Sequence, residues 1–163
     1  MNLFLDCEWF IPQKLFLIGW CNNTRSFGQL YGNKLTRSNM IDLLKGVDFI
    51  FFYGPDIAVI ENWFSMNIRN RFQCVNLLKC FRDHIPAESY KLAELEKKFG
   101  IHRNVDKYKR NMRLLYDDWH HPERKYHVLQ YNMDDVINLY RLTGIIFKKY
   151  GIRKRYLSNN LLK

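Results

Sequence analysis

A short apolar run near the start of the chain, MNLFLDCEWF, carries two carboxylates one residue apart, Asp6 and Glu8. On a strand, successive side chains point to opposite faces, so Asp6 and Glu8 share one face while Leu5, Cys7 and Trp9 share the other. Carboxylates that converge inside an apolar element repel each other and lose solvation unless a cation, a proton or an arginine compensates. A divalent metal ion is the natural compensator. The alternative is an edge strand whose acids merely face water.

The elements that follow set the context of that strand. LFLDCEW, KLFLIGW and RSFGQLY are short apolar runs separated by turn-forming FIPQ and CNNT, the pattern of a three-stranded antiparallel meander. TRSNMIDLLKG predicts a short helix stopped by Gly46, and VDFIFFYG a strand covered on both faces. IAVIENWFSMNI reads as a helix and FQCVNLL as a further strand; AESYKLAELEKKFG, VDKYKRNMRLLYDDW and YHVLQYNMDDVINLYRLTGIIFKKYG read as helices. The order predicts a mixed α/β domain over residues 1–150, with a five-stranded sheet flanked by helices and a basic C-terminal tail over 151–163.

Composition narrows the partners. Lys and Arg number 26 against 16 Asp and Glu, a net charge of +10, which suits a polyanion such as nucleic acid. No apolar run approaches the roughly 20 residues of a membrane span, and the first residues lack a signal-peptide pattern, so an intracellular setting without membrane contact is expected. Cys7, Cys21, Cys74 and Cys80 are scattered without zinc-ribbon spacing, which predicts reduced, partly buried thiols; His84 near Cys80 offers only a remote zinc alternative.

Two further acidic positions fall at informative places. Asp56 stands where IFFYG runs into PDIAVIENWF, at the end of a buried strand and the start of a helix, where open α/β sheets bind ligands. Helix capping is the competing role there. In YNMDDVINLY, Tyr131 and Asp135 are four apart and share one helix face, whereas Asp134 is rotated from Asp135 by about 100° and reads as an exposed acid.

D-x-E on the first strand, an Asp after the fourth strand and Y-x-x-x-D on the last long helix, in that order, resemble the three motifs of the DEDD (DnaQ-like) 3′-5′ exonucleases of the RNase H-like superfamily. A histidine-type third motif would need His at 130, where Gln130 stands, so the resemblance is to the tyrosine subtype. KLAELEKKFGI and LYDDW...LQYNMDDVINLYRL further resemble the YprB-like ribonuclease H-like domains; the likeness runs over residues 3–147. The pattern departs before Asp56, where Tyr53, Gly54 and Pro55 stand instead of the family's upstream Asn and aromatic residue.

The resemblance implies an RNase H-like fold and a two-metal-ion exonuclease that uses Mg²⁺ or Mn²⁺ on single-stranded DNA or RNA 3′ ends. It implies Asp6, Glu8, Asp56 and Asp135 as metal ligands, and Tyr131 as the group that orients the attacking water. A nucleic-acid-binding module with the same fold and impaired catalysis is the alternative function.

Basic residues would position the substrate. Lys97, Lys98, Arg103, Lys107, Lys109, Arg110 and Arg113, interleaved with His102 and Tyr108, together with Arg153, Lys154 and Arg155 of the tail, are candidate phosphate contacts, with an aromatic free to stack on a base. A solvated helix face is the alternative for the first cluster. Trp63 and Phe64, following the second motif, read as core, with a wedge against a terminal base as the alternative. YDDWHH gathers Asp117, Asp118, His120 and His121 in what is expected to be a connection, and raises a one-metal nuclease or phosphatase as a rival.

Overall fold

The computed structural model describes residues 1–11, 14–108, 111–153, 157 and 161–162. β1 (Asn2–Phe10), β2 (Lys14–Cys21) and β3 (Phe27–Tyr31) form the expected meander. α1 (Arg37–Leu43) leads to β4 (Phe49–Phe52), which lies parallel to β1, and α2 (Asp56–Phe64) crosses to β5 (Gln73–Asn76), parallel to β4. α3 (Leu77–His84), α4 (Leu92–Lys98), α5 (Met112–Trp119) and α6 (Lys125–Tyr150) follow. The five expected strands stand in the order β3-β2-β1-β4-β5, and a two-residue β6 (Leu161–Leu162) adds antiparallel to β5 at the edge.

Local chemistry explains most boundaries. The Thr36 side chain accepts from Asn39 N at 3.2 Å and starts α1. α2 stops after Phe64 because Ser65 turns into the left-handed region at φ 51, earlier than the apolar pattern predicts. The apolar run FQCVNLL, which predicts strand throughout, instead divides between β5 and α3, because Asn76 ends the strand by capping Leu78 N at 3.1 Å. α4 begins only at Leu92 and α5 only at Met112, where Asn111 caps Leu114 N at 2.9 Å.

The sheet separates two cores. Leu3, Leu5 and Cys7 pack with Met40 and Leu44 near α1 and with Ile57, Ile60 and Phe64 of α2. Phe4, Phe51 and Val75 face the other way, against Leu77 and Phe81 of α3, Leu95 of α4, and Val136, Leu139, Leu142 and Ile146 of α6. Burying each such α6 side chain removes from water apolar surface worth about 1.5–3 kcal/mol. A third cluster joins Phe16 and Leu17 to Tyr108, Leu115 and Val128.

Two features of this packing create the site. β1 pairs with β4 only from Asn2 to Phe4, so its later half, with Asp6 and Glu8, runs past the end of β4. The buried stripe of α6 is apolar at Val128, Val136, Leu139 and Leu142 but polar at Asn132 and Asp135, at the level of those two acids.

Candidate metal centre and nucleic-acid cleft

The even-numbered face of β1 points at α6, and carboxylate oxygens of Asp6, Glu8 and Asp135 all lie within 4.8 Å of one another. Among the described residues no other trio of His, Cys, Asp or Glu ligand atoms converges in this way. The opening strand is therefore not an edge with solvated acids, since β2 flanks it and Glu8 is buried.

Asp6 is aimed by Asn132, whose Nδ2 donates to Asp6 Oδ2 at 2.8 Å, while Gln29 Nε2 donates to Asn132 Oδ1 at 3.0 Å. This approach of α6 to the sheet needs Gly19, because a Cβ there would overlap the Asn132 amide. Sequence reasoning missed Asn132; the available signal was its position three residues before Asp135, on the same side of the helix.

Asp56 is the first residue of α2, not its N-cap, which is Pro55, so capping does not account for it. It is buried, and its Oδ2 has no hydrogen-bond partner among the described residues. The turn that delivers it is held by Asn76, whose Oδ1 accepts from Gly54 N at 3.3 Å and whose Nδ2 donates to Gly54 O at 3.0 Å, with Gly54 at φ +79, a conformation that favours glycine. Asp56 stands outside the Asp6, Glu8, Asp135 trio, yet its charge acts on Asp6 and Glu8.

The acids hold their protons tightly. Burial, then the neighbouring charges of Asp135 and Asp56, push Asp6 and Glu8 well above the usual carboxylate range. Burial is also the main cause for Asp56, pushed up to about 8, and for Asp135, where Arg103 works in the opposite direction. Tyr131 hydrogen-bonds Asp135, and burial followed by the charges of Asp135 and Glu8 raises its phenol above the ordinary value. Such a hydroxyl stays protonated and donates rather than abstracts.

Arg103 departs from the expectation of a surface phosphate contact. It is buried, forms a two-point ion pair with Glu96, bonds Asp135 through Nη2, and lies 5.4 Å over the Tyr131 ring. Asp134 also corrects the sequence reading, being buried rather than exposed. It accepts from Asn104 N and Nδ2, both at 2.8 Å, from Val105 N at 3.2 Å and from Gln130 Nε2 at 3.1 Å, and so ties the Arg103 loop to α6.

Beside the acids opens a cleft of about 660 Å³ whose walls include Tyr53, Tyr131, Lys91, Lys97 and Lys107. Lys97 and Lys107 were expected from the sequence; Lys91 was not, since it lies apart from the dense basic run. Lys98 turns its Nζ to Pro86 O at 2.6 Å, and Arg113 and Arg153 are exposed away from the residues lining the cleft. Lys109, Arg110, Lys154 and Arg155 lie outside the described residues.

Other aromatic and ligand-rich segments resolve differently. Tyr108 is fully buried, edge-on to Tyr131 at 5.4 Å, so it is no stacking platform. Phe64 is core as expected, whereas Trp63 is 44% exposed. In YDDWHH, Asp117 and Asp118 lie on helix α5, within the stretch VDKYKRNMRLLYDDW that reads as helical, and Asp118 is occupied by Lys107 Nζ at 2.7 Å, Tyr108 Oη at 2.7 Å and Arg124 Nη1 at 2.9 Å. The four cysteines are free and buried, and His84 Nδ1 sits 2.8 Å from Cys80 O within α3. No helix among the described residues is long and apolar enough to cross a membrane.

The donor set fits a hard divalent cation. It consists of oxygens only, three of them convergent, and includes a buried carboxylate oxygen on Asp56 that lacks a hydrogen-bond partner among the described residues. Residues 3–146 match the RNase_H_2 family model of the RNase H superfamily. No curated protein matches the chain.

Proposed function

The chain belongs to the RNase_H_2 family of the RNase H superfamily, and we propose that it is a metal-dependent 3′-5′ exonuclease of the DEDD type, tyrosine subtype, acting on single-stranded DNA or RNA ends. The superfamily consists of nuclease-like domains that act on nucleic acid and typically depend on divalent metals. The finer reading rests chiefly on one observation: Asp6, Glu8 and Asp135, from the first strand and the last long helix, converge beside a lysine-rimmed cleft.

In this reading Asp6, Glu8, Asp135 and Asp56 would hold two ions, Mg²⁺ or Mn²⁺. Bound ions of this kind supply Lewis-acid activation of water and neutralise charge developing at phosphorus. The chain's own residues do the rest. Asn132 fixes the Asp6 carboxylate, and the protonated Tyr131 hydroxyl orients the attacking water by donating to it or by holding Asp135 in place. Lys91 and Lys97, from the start and the end of α4, draw the phosphodiester backbone along the cleft, while Lys107 stays paired with Asp118. Closeness to the YprB-like domains belongs to the same proposal.

Incubating the protein with Mn²⁺ and end-labelled oligonucleotides, as matched DNA and RNA strands with free or blocked 3′ ends, tests the reading. A ladder shortening from free 3′ ends is expected. Cleavage inside strands, or indifference to a blocked 3′ end, would remove the exonuclease assignment, and binding without any cleavage would favour the impaired binding module.

A further inference from the structure

The buried acids of the site are not left without a cation of their own. Arg103 reaches them from the segment after α4, and three successive contacts tie that segment to α6: Asn138 Nδ2 donates to His102 O at 3.2 Å, Asp135 takes Arg103, and Asp134 takes Asn104 and Val105. The contacts of the guanidinium are unequal. Glu96 holds it at two points, through Nε and Nη2, whereas Asp135 shares only Nη2, and Nη1 is buried without a hydrogen-bond partner among the described residues. Glu96 itself is 1% exposed and lies on the buried side of α4, so the Arg103–Glu96 pair is a fixed part of the core.

We infer that Arg103 is a resident cation of the carboxylate cage, a positioning residue that holds Asp135 until a divalent ion displaces it, so that ions load in sequence. This rests on the metal reading above. The first ion binds at Asp6 and Glu8, which have no direct ion pair among the described residues; the second binds only as Asp135 leaves Arg103. Glu96 makes the exchange feasible, because it keeps the guanidinium paired after Asp135 has gone. An arginine left alone in that position would be a buried unpaired charge.

Glu96 and Arg103 therefore act on the second ion with opposite signs. Mn²⁺ binding, followed by calorimetry and by the electron paramagnetic resonance of free Mn²⁺, reads this without turnover. The wild-type chain is expected to bind one ion tightly and a second at least about tenfold more weakly, the scale of a typical coupling between sites. Arg103→Met should tighten the second ion by about tenfold, lower the melting temperature in EDTA and regain more of it on adding Mn²⁺ than wild type does. Glu96→Gln, which commits Arg103 to Asp135 alone, should weaken the second ion. This arm stands even where Arg103→Met does not fold. Two ions of equal affinity in the wild type, or a second affinity unmoved or tightened in Glu96→Gln, would overturn the inference and leave the metal centre intact. No Mn²⁺ binding at all would overturn the metal centre and the inference with it.

Discussion

Asp56 and Asp118 are both nearly inaccessible, at 5% and 1% exposure, yet the fold treats their charges in opposite ways. Burial alone would raise both. Asp118 is met by Lys107, Tyr108 and Arg124, whose hydrogen bonds and charges outweigh desolvation and hold its carboxyl below the usual range. Asp56 has acids rather than cations for charged neighbours, and it is raised together with Asp6, Glu8 and Asp135. Proximity of acids in sequence is thus a poor guide to function. YDDWHH is the denser cluster, but the chain's own cations already neutralise it, whereas the site that lacks enough internal cations is the one suited to external ions.

Breaking the under-compensated site should give the largest effect. Asp6→Ala or Glu8→Ala is expected to lower Mn²⁺-dependent cleavage by about a thousandfold or more, the scale of losing a preorganised electrostatic group. The melting temperature in EDTA should hold or rise, because one member of a repulsive set is gone. Parent-level cleavage in either variant would dismantle the cage.

Tyr131→Phe comes next. It removes one hydroxyl while keeping the ring against Tyr108 and Arg103, and should cost turnover about a hundredfold with Mn²⁺ affinity spared. Equal losses in turnover and metal affinity would make the hydroxyl a support for Asp135 alone.

The charge-compensated site should fail in stability instead. Asp118→Asn leaves Lys107 and Arg124 short of a partner; both can turn to water, so a loss of about 1–2 kcal/mol in denaturant unfolding is expected, with cleavage little changed. A stable variant with abolished cleavage would reverse the roles of the two sites.

The two aspartates also differ in the sign of their pH dependence. Asp56 binds its proton in the folded chain up to about 8, against 3.8 ordinarily, so between those values the folded state holds more protons than the unfolded one. Metal-free stability should therefore fall as pH rises through that window, and saturating Mn²⁺ should flatten the fall. Asp118 contributes with the other sign, its stabilisation being lost as pH drops below the ordinary carboxylate range. Asp118→Asn should therefore reduce acid lability and leave the alkaline slope in place.

The smallest expected change is at the cleft rim. Lys91→Ala combined with Lys97→Ala should weaken binding of a single strand and reduce the salt slope by about 0.7 for each phosphate that is no longer neutralised, with maximal rate less affected. An unchanged slope would place the strand elsewhere.

Much of this was legible in the sequence because it depends on local rules. Alternation placed Asp6 and Glu8 on one face of β1, a four-residue step placed Tyr131 and Asp135 on one face of α6, and the strand-to-helix junction placed Asp56 at the end of the sheet where ligands bind. The order of apolar runs specified the meander and the parallel strands beyond it. What the sequence could not specify was which cation meets which acid, because that depends on where loops land after packing. Arg103 lies seven residues from Glu96 and thirty-two from Asp135, and only the docking of its segment on α6 takes it out of the basic run and into the core. The same docking buries Asp134 and Tyr108, which a local reading leaves exposed. Periodicity assigns a side chain to a face of its own element; tertiary packing decides what that face meets, and in a low-dielectric interior the partner, not the residue type, sets the charge.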